Sequence, residues 1–151
     1  MTQQKPDIQR IFETTRVIAV VGASNKPERP SYYVAEYLAE LGYRVIPVNP
    51  GLAGQVLHGE TVYASLADIP DEITVDMVDI FRRSEDVPPV VDEALAALPG
   101  LRTVWMQMGI VNEAAAQIAR ERGMAVVMDK CPKVEYPPLF GTRRLDDIAA
   151  H

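Results

Sequence analysis

Residues 17–24 read VIAVVGAS, and this stretch decides the fold. Its first five residues, Val17–Val21, are apolar throughout and mostly β-branched, which is typical of a parallel strand buried on both faces. Gly22 ends the run and opens a turn before a segment with helical spacing. A buried strand that leads through a glycine turn into a helix predicts the first unit of an α/β sheet.

Four more apolar runs follow, and segments with helical spacing separate them. Strands are predicted at about 43–48, 75–81, 102–107 and 124–128, and helices at about 7–15, 31–41, 84–98 and 112–122. This alternation predicts a single-domain, Rossmann-like, doubly wound parallel five-stranded sheet in three α/β/α layers. We expect the strand order 3-2-1-4-5, and we expect Ser31 to cap the second helix.

The rest of the chain divides into one domain and a short tail. Residues 1–141 are assigned to the domain, and residues 142–151 to a tail that is either a short helix or a frayed end. The longest insertion, 49–71, is expected to contain a short strand near 60–63 and a helical turn. The proline-rich stretch 129–138 is expected to be irregular.

The composition excludes several classes of function. A net charge of -6 disfavours nucleic acid as a partner, and a single cysteine permits no intramolecular disulfide. Two histidines and one cysteine are too few for a recognisable structural zinc site, so no metal is assigned. No signal-peptide core or membrane-length apolar run is present, which predicts a cytoplasmic protein without a membrane partner, either monomer or homodimer.

The turn after the first strand has the features of an anion site. Gly22 and Ala23 allow close backbone approach, and the helix that follows presents free amides and a positive dipole end. Ser24 adds a hydroxyl group, and Lys26 and Arg29 add positive charge. These features favour a phosphate-binding turn over a solvated loop with two surface cations.

The usual dinucleotide fingerprint is absent from this turn. The G-x-G-x-x-G pattern would need glycines at Ser24 and Pro27. NAD-binding domains place an acidic residue at the end of the second strand, whereas this chain has the neutral run Val48, Asn49 and Pro50 there. The missing carboxylate favours a ligand with a phosphorylated ribose, either coenzyme A or NADP.

Other strand ends supply further candidates for the same crevice. Phe81, Arg82 and Arg83 follow the third strand. They either flank adenine and meet phosphate, or form a core phenylalanine with two solvated arginines. Met106 and Met108 flank Gln107, and we expect one methionine in the core and the other in the crevice. Gly109 either lines the crevice or only permits a turn.

Several runs together resemble the small stand-alone coenzyme A-binding domain proteins, which are related to the N-terminal domain of the succinyl-CoA synthetase alpha subunit. The runs are IAVVGASNKPERPSYYVAEYL, GYRVIPVNP, VDMVDIFRRSE, VWMQMGIVNEAAA and VVMDKCPKVEY. The resemblance implies a Rossmann-like fold with coenzyme A across the strand ends. With the strand-end residues above, the cofactor-binding set is Gly22, Ala23, Ser24, Lys26, Arg29, Val48, Asn49, Pro50, Phe81, Arg82, Met106, Gln107, Gly109 and Cys131.

No catalytic residue is assigned. The histidine that is phosphorylated in the synthetase lies in a later domain, so the resemblance does not imply ligase chemistry. Cys131 is the only thiol, and a lone cysteine in a strand-end loop is more often packing than nucleophile. We therefore expect a non-enzymatic binder or sensor of coenzyme A or an acyl-CoA. An NADP-linked oxidoreductase and a regulatory protein-interaction module are the alternatives.

Overall fold

A five-stranded parallel sheet forms the centre of the molecule in a computed structural model that describes residues 5–150. A separate pair of two-residue antiparallel strands lies in the insertion after the second strand. The strands are β1 Val17–Val21, β2 Arg44–Val48, β3 Val56–Leu57, β4 Glu60–Thr61, β5 Met77–Ile80, β6 Thr103–Met106 and β7 Ala125–Val127.

Helices cover both faces of the sheet and confirm the predicted three-layer α/β/α class. They are α1 Ile8–Thr14, α2 Pro30–Leu41, α3 Val87–Ala97, α4 Glu113–Glu121, α5 Pro132–Phe140 and α6 Leu145–Ile148. Short 3-10 helices occur at Pro50–Leu52, Leu66–Asp68 and Ser84–Asp86. One hydrophobic core lies under α1, α2, α5 and α6, and a second lies under α3 and α4.

The predicted strand order is wrong. The observed order is β2-β1-β5-β6-β7, so the third sheet strand pairs with β1 and not with β2. The outer edge of β2 is occupied by the insertion, because Tyr63 donates its N–H to the carbonyl of Pro47 and accepts from the N–H of Asn49. Pro47 has no N–H to donate, and it faces this outer edge, where sheets tolerate proline.

The stretch expected to be irregular contains the helix α5, so that expectation is also wrong. Pro132 occupies the first turn, where a missing N–H costs nothing. Pro137 and Pro138 remove two hydrogen bonds inside the helix. Burial of the rings of Tyr136 and Phe140 against the first core compensates, because each buried aromatic ring contributes about 1.5–3 kcal/mol.

The segment assigned to the tail packs on the domain. Leu145 of α6 is buried in the first core, and the carbonyl of Ala150 accepts a hydrogen bond from the Arg16 guanidinium at 2.7 Å. Residues 1–4 and His151 lie outside the described residues. Within residues 5–150, no helix is both long enough and apolar enough to cross a membrane.

Candidate functional site

A cavity of about 1070 Å³ lies at the carboxyl ends of the sheet strands. From β1 the chain continues to β2 on one side of the sheet, whereas β5, β6 and β7 follow on the other side of β1. The direction in which successive strands are added therefore reverses between β1 and β5. Ligands of open α/β sheets bind at such a reversal, outside the carboxyl ends of the strands. Loops after β2, β1, β5, β6 and β7 all contribute to the walls.

The turn at Gly22 is fixed by the protein itself. Gly22 has φ +90°, and a Cβ atom at this position would collide with the backbone carbonyl oxygen of Phe81. The N–H groups of Gly22 and Ala23 donate to the carbonyl of Val48 at 3.0 and 3.2 Å. The glycine therefore serves the close crossing of this turn over the end of β5, and these two amides are engaged within the fold.

Asn49 holds the same turn from the β2 side. Its Nδ2 donates to the carbonyl of Ala23 at 2.7 Å, and its Oδ1 accepts from the N–H of Gly51 at 2.9 Å. Both ends of the amide are thus engaged in positioning the two loops. Val48 is buried in the second core, and neither Val48 nor Pro50 lines the cavity. Their contact with a ligand stays a prediction.

Ser24, Lys26 and Arg29 all line the cavity, as expected from the sequence. The Ser24 hydroxyl oxygen accepts from the N–H of Lys26 at 3.1 Å, which leaves the hydroxyl proton able to donate. Within the part of the chain that the structure describes, the Lys26 and Arg29 side chains form no ion pair. Pro30 takes the first position of α2, so the predicted cap at Ser31 is wrong, and Ser31 is buried against the cavity.

The two arginines after β5 differ in their partners. The Arg83 Nε lies 3.1 Å from an Asp86 carboxylate oxygen and 3.5 Å from a Glu85 carboxylate oxygen, so its charge is neutralised locally. Arg82 lines the cavity and forms no ion pair among residues 5–150. Phe81 also lines the cavity and packs partly against the first core.

The end of β6 separates the two methionines. Met106 is buried in the second core, whereas Met108 is exposed and lines the cavity, as expected for one of the pair. Gln107, between them, is buried and also lines the cavity. Gly109 lies outside the cavity wall at φ +84°, and its N–H donates to the Asp129 carboxylate at 2.6 Å. Its contact with a ligand stays a prediction.

The beginning of α5 forms the far end of the cavity. Cys131 is buried, lines the cavity and occupies the N-cap position of α5 without a side-chain capping hydrogen bond. The Lys133 ammonium lies 5.3 Å from the ring centroid of Tyr33 and 5.6 Å from that of Tyr37. Burial raises the pKa of Tyr37 to about 12, so this phenol stays neutral at physiological pH. Lys133 is thus held toward the cavity by cation–π contacts.

Sequence reasoning missed a group of wall residues that lie just beyond the predicted turns. They are Pro30, Ser31, Tyr33, Val34, Gly51, Leu52, Ile110, Lys133 and Val134. Pro132 could have indicated Lys133 and Val134. A proline shortly after a strand is typical of the first turn of a helix, and the first turn of this helix faces the crevice.

The charge of the cavity differs from that of the chain. Its walls carry five cationic side chains, and no carboxylate is among the described wall residues. The cations are Lys26, Arg29, Arg82, Arg83 and Lys133. The whole chain has a net charge of -6, so positive charge is concentrated at this site. The fold and the site together define a Rossmann-like α/β domain with a crevice suited to an anionic ligand.

Comparison with known proteins narrows that class to a family. The model of the coenzyme A-binding domain family matches residues 16–137, and the chain belongs to this family. It is 39% identical over 132 residues to the uncharacterized protein YneT of Bacillus subtilis, an alignment that covers 87% of this chain and 93% of that protein. The cell-free ID.343 structure from Thermus thermophilus superposes with a TM-score of 0.82 at 40% identity, covering 89% of this chain and 97% of that one.

A longer relative is an enzyme subunit. The chain is 31% identical over 133 residues to the alpha subunit of an ADP-forming acetate–CoA ligase from Pyrococcus furiosus. The alignment covers 80% of this chain but only 28% of the ligase subunit. The family resemblance inferred from the sequence is therefore confirmed.

Proposed function

We propose that this chain binds coenzyme A in the crevice at the carboxyl ends of the strands and acts as a binding or sensor protein. The observation that carries the proposal is the concentration of five cations in the cavity wall of an acidic chain. Four of them form no ion pair among residues 5–150. Coenzyme A carries a pyrophosphate and a ribose 3′-phosphate, which such a site would stabilise by charge-assisted hydrogen bonds.

The end of β2 supports coenzyme A over NAD. An NAD site needs a carboxylate there to accept from the ribose hydroxyls. Asn49 takes that place, and its neutral amide bonds to Ala23 and Gly51. The position therefore carries no negative charge that would repel a phosphorylated ribose. The neutral position also permits NADP, and a titration against NADPH distinguishes the two ligands.

The walls also support a non-enzymatic role. Among the described wall residues there is no histidine, aspartate or glutamate to act as a general acid or base. The one thiol, Cys131, is buried, and the described wall residues include no imidazole or carboxylate that could deprotonate it. The same proposal assigns the protein to the cytoplasm as a monomer or homodimer, with coenzyme A or an acyl-CoA as its ligand.

Calorimetric titration and thermal unfolding of the full chain test which ligand the protein binds. Coenzyme A at about 100 times its Kd should raise the free energy of unfolding by about 2.7 kcal/mol, which corresponds to a Tm increase of about 5–10 °C. Dephospho-coenzyme A, which lacks the 3′-phosphate, should bind more weakly, and NADPH and NAD more weakly still. Equal or tighter binding of NADPH would favour the oxidoreductase alternative, and no binding of any nucleotide would favour the interaction module.

Substitution of single cations tests the site. Lys26→Ala and Arg82→Ala should each weaken coenzyme A binding by about 10- to 100-fold, because a charge-assisted hydrogen bond contributes about 1.5–3 kcal/mol. Arg83→Ala should weaken it less, because Asp86 and Glu85 already neutralise that guanidinium. Arg102→Ala is the matched control, since it removes the same charge from an exposed position outside the cavity. Equal losses in all four variants would contradict this site.

A further inference from the structure

The cationic and apolar wall residues of the cavity come mainly from different loops. The loops after β1 and β5 contribute Lys26, Arg29, Arg82 and Arg83. The loops after β6 and β7 contribute Met108, Ile110, Cys131 and Val134, together with Lys133. Because the strand order is β2-β1-β5-β6-β7, these apolar residues and Lys133 lie at one end of the crevice, beyond the other four cations.

Large apolar side chains stand exposed at that end. Met108 is 59% exposed, Val134 is 52% exposed and Tyr33 is 39% exposed, and all three line the cavity. Cys131 lines the same cavity but is buried, so it lies deeper than the three exposed residues, which we call the rim. An apolar rim next to a ligand crevice indicates a surface that an apolar part of the ligand covers.

The length of the coenzyme A arm matches this layout. From its phosphate oxygen to its sulfur the pantetheine arm has roughly as many bonds as four peptide residues, so it extends about 14 Å. The ends of β1 and β7 are three strand spacings apart in the sheet, which is also about 14 Å. With its phosphates at the Gly22 turn, an extended arm carries its sulfur to the end of β7, beside the rim.

We infer that the crevice takes acyl thioesters of coenzyme A, with the acyl chain lying on the apolar rim formed by Tyr33, Met108 and Val134. The inference rests on the proposed coenzyme A binding and names the form of the ligand. A free thiol is too small to cover the rim. An acyl chain attached to the sulfur continues past Cys131 onto these side chains and removes their apolar surface from water.

The test compares ligands of increasing chain length on the full chain. Coenzyme A, acetyl-CoA, butyryl-CoA and hexanoyl-CoA are titrated by calorimetry, with a phosphine reductant present so that no disulfide with Cys131 contributes. Burial of a methylene group on a partly open rim should tighten binding about two- to fourfold. Hexanoyl-CoA should then bind at least about tenfold tighter than acetyl-CoA.

Near-isosteric polar variants locate the effect. Met108→Gln and Val134→Thr keep the volume of the rim but make it polar, so together they should abolish most of the gain with chain length. Ile118→Thr is the control, because Ile118 is 44% exposed on α4 and does not line the cavity. It should retain the full chain-length dependence. The readout is the ratio of hexanoyl-CoA to acetyl-CoA affinity within each variant.

The possible failures are distinguishable. If coenzyme A binds but its affinity does not increase with acyl length, this inference is wrong and the proposed function stands. If the increase persists in the double variant, the acyl chain does not lie on this rim. If neither coenzyme A nor any thioester binds, both the inference and the proposed function are wrong.

Discussion

The polar groups at the two ends of the parallel strands have opposite roles. The carboxyl edge is the side of the sheet where the strands end, and the amino edge is the side where they begin. At the carboxyl edge, Lys26, Arg29 and Arg82 line a cavity and form no ion pair among residues 5–150. At the amino edge, the polar groups bond to one another. The Asp76 carboxylate accepts from the N–H groups of Arg16 and Val17 at 2.7 and 2.9 Å.

The Arg16 guanidinium completes this closed network. It donates to the carbonyls of Glu13, Thr15 and Ala150 at 2.9, 2.9 and 2.7 Å, so it ties α1 to the C-terminal segment. The contrast teaches that charge at the amino edge stabilises the fold, whereas charge at the carboxyl edge remains available to a ligand. Substitutions at the two edges should therefore change different measurements.

The largest loss of stability is expected at Gly22, which lies at the carboxyl edge but is required by the fold itself. Gly22→Ala would place a Cβ against the Phe81 carbonyl oxygen at a φ of +90°. Left-handed strain alone costs about 1–2 kcal/mol, and the backbone collision adds to it. We expect a loss of more than about 4 kcal/mol of unfolding free energy, measured by denaturant titration.

Gly109→Ala is the matched control for this prediction. Gly109 has a similar φ of +84°, but a Cβ atom there would have no neighbour within 4 Å. This variant should lose only the strain of about 1–2 kcal/mol. Equal losses in the two variants would show that the crossing over β5 is not what requires glycine at position 22.

A smaller effect is expected at the amino edge. Asp76→Ala leaves two backbone N–H groups without their charged acceptor, which should cost about 2–4 kcal/mol and lower the Tm by about 5–15 °C. Asp71→Ala, which removes the same charge from an exposed residue, should change the Tm little. Coenzyme A affinity should change less than twofold in both variants. A tenfold loss of affinity in Asp76→Ala would remove the distinction between the edges.

The sequence predicted the strand–helix alternation because apolar runs and helix signals are local. It did not predict the strand order, which depends on what pairs with each edge. Pro47 carried a signal for this order, because a proline without an N–H is confined to edge strands, whereas the order 3-2-1-4-5 needs β2 inside the sheet. The helix α5 was missed because local proline content outweighed the tertiary burial of Tyr136 and Phe140.

The candidate site was predictable at the turns and less so at the strand ends. Gly22, Ser24 and Lys26 lie in one loop, so their proximity follows from the sequence. At the end of β6, Met106 and Gln107 point to opposite faces, and only Gln107 faces the cavity. Both faces of this sheet are apolar, so the sequence alone could not assign the cavity to the face covered by α2 and α5.

The smallest effect is expected at Asp79 within β5, which contrasts with Asp76 just before the start of that strand. Asp79 is fully buried, and neither carboxylate oxygen has a hydrogen-bond donor among the described residues. Burial raises the pKa of Asp79 well above its ordinary value of 3.8. In the unfolded chain the same carboxyl titrates near pH 4.

Between these two pKa values the folded state holds a proton that the unfolded state has released. The contribution of Asp79 is therefore most favourable below about pH 4, and it is lost as the pH rises toward the raised pKa. Asp79→Asn keeps the shape and removes the titration, so it should raise the Tm by a few degrees at pH 7–8 and much less at pH 4–5. Thermal unfolding of both proteins across this range measures the difference. If the Tm of Asp79→Asn depends on pH as steeply as that of the wild type, another group causes the dependence. Titration of buried Asp79 would then not distinguish it from Asp76.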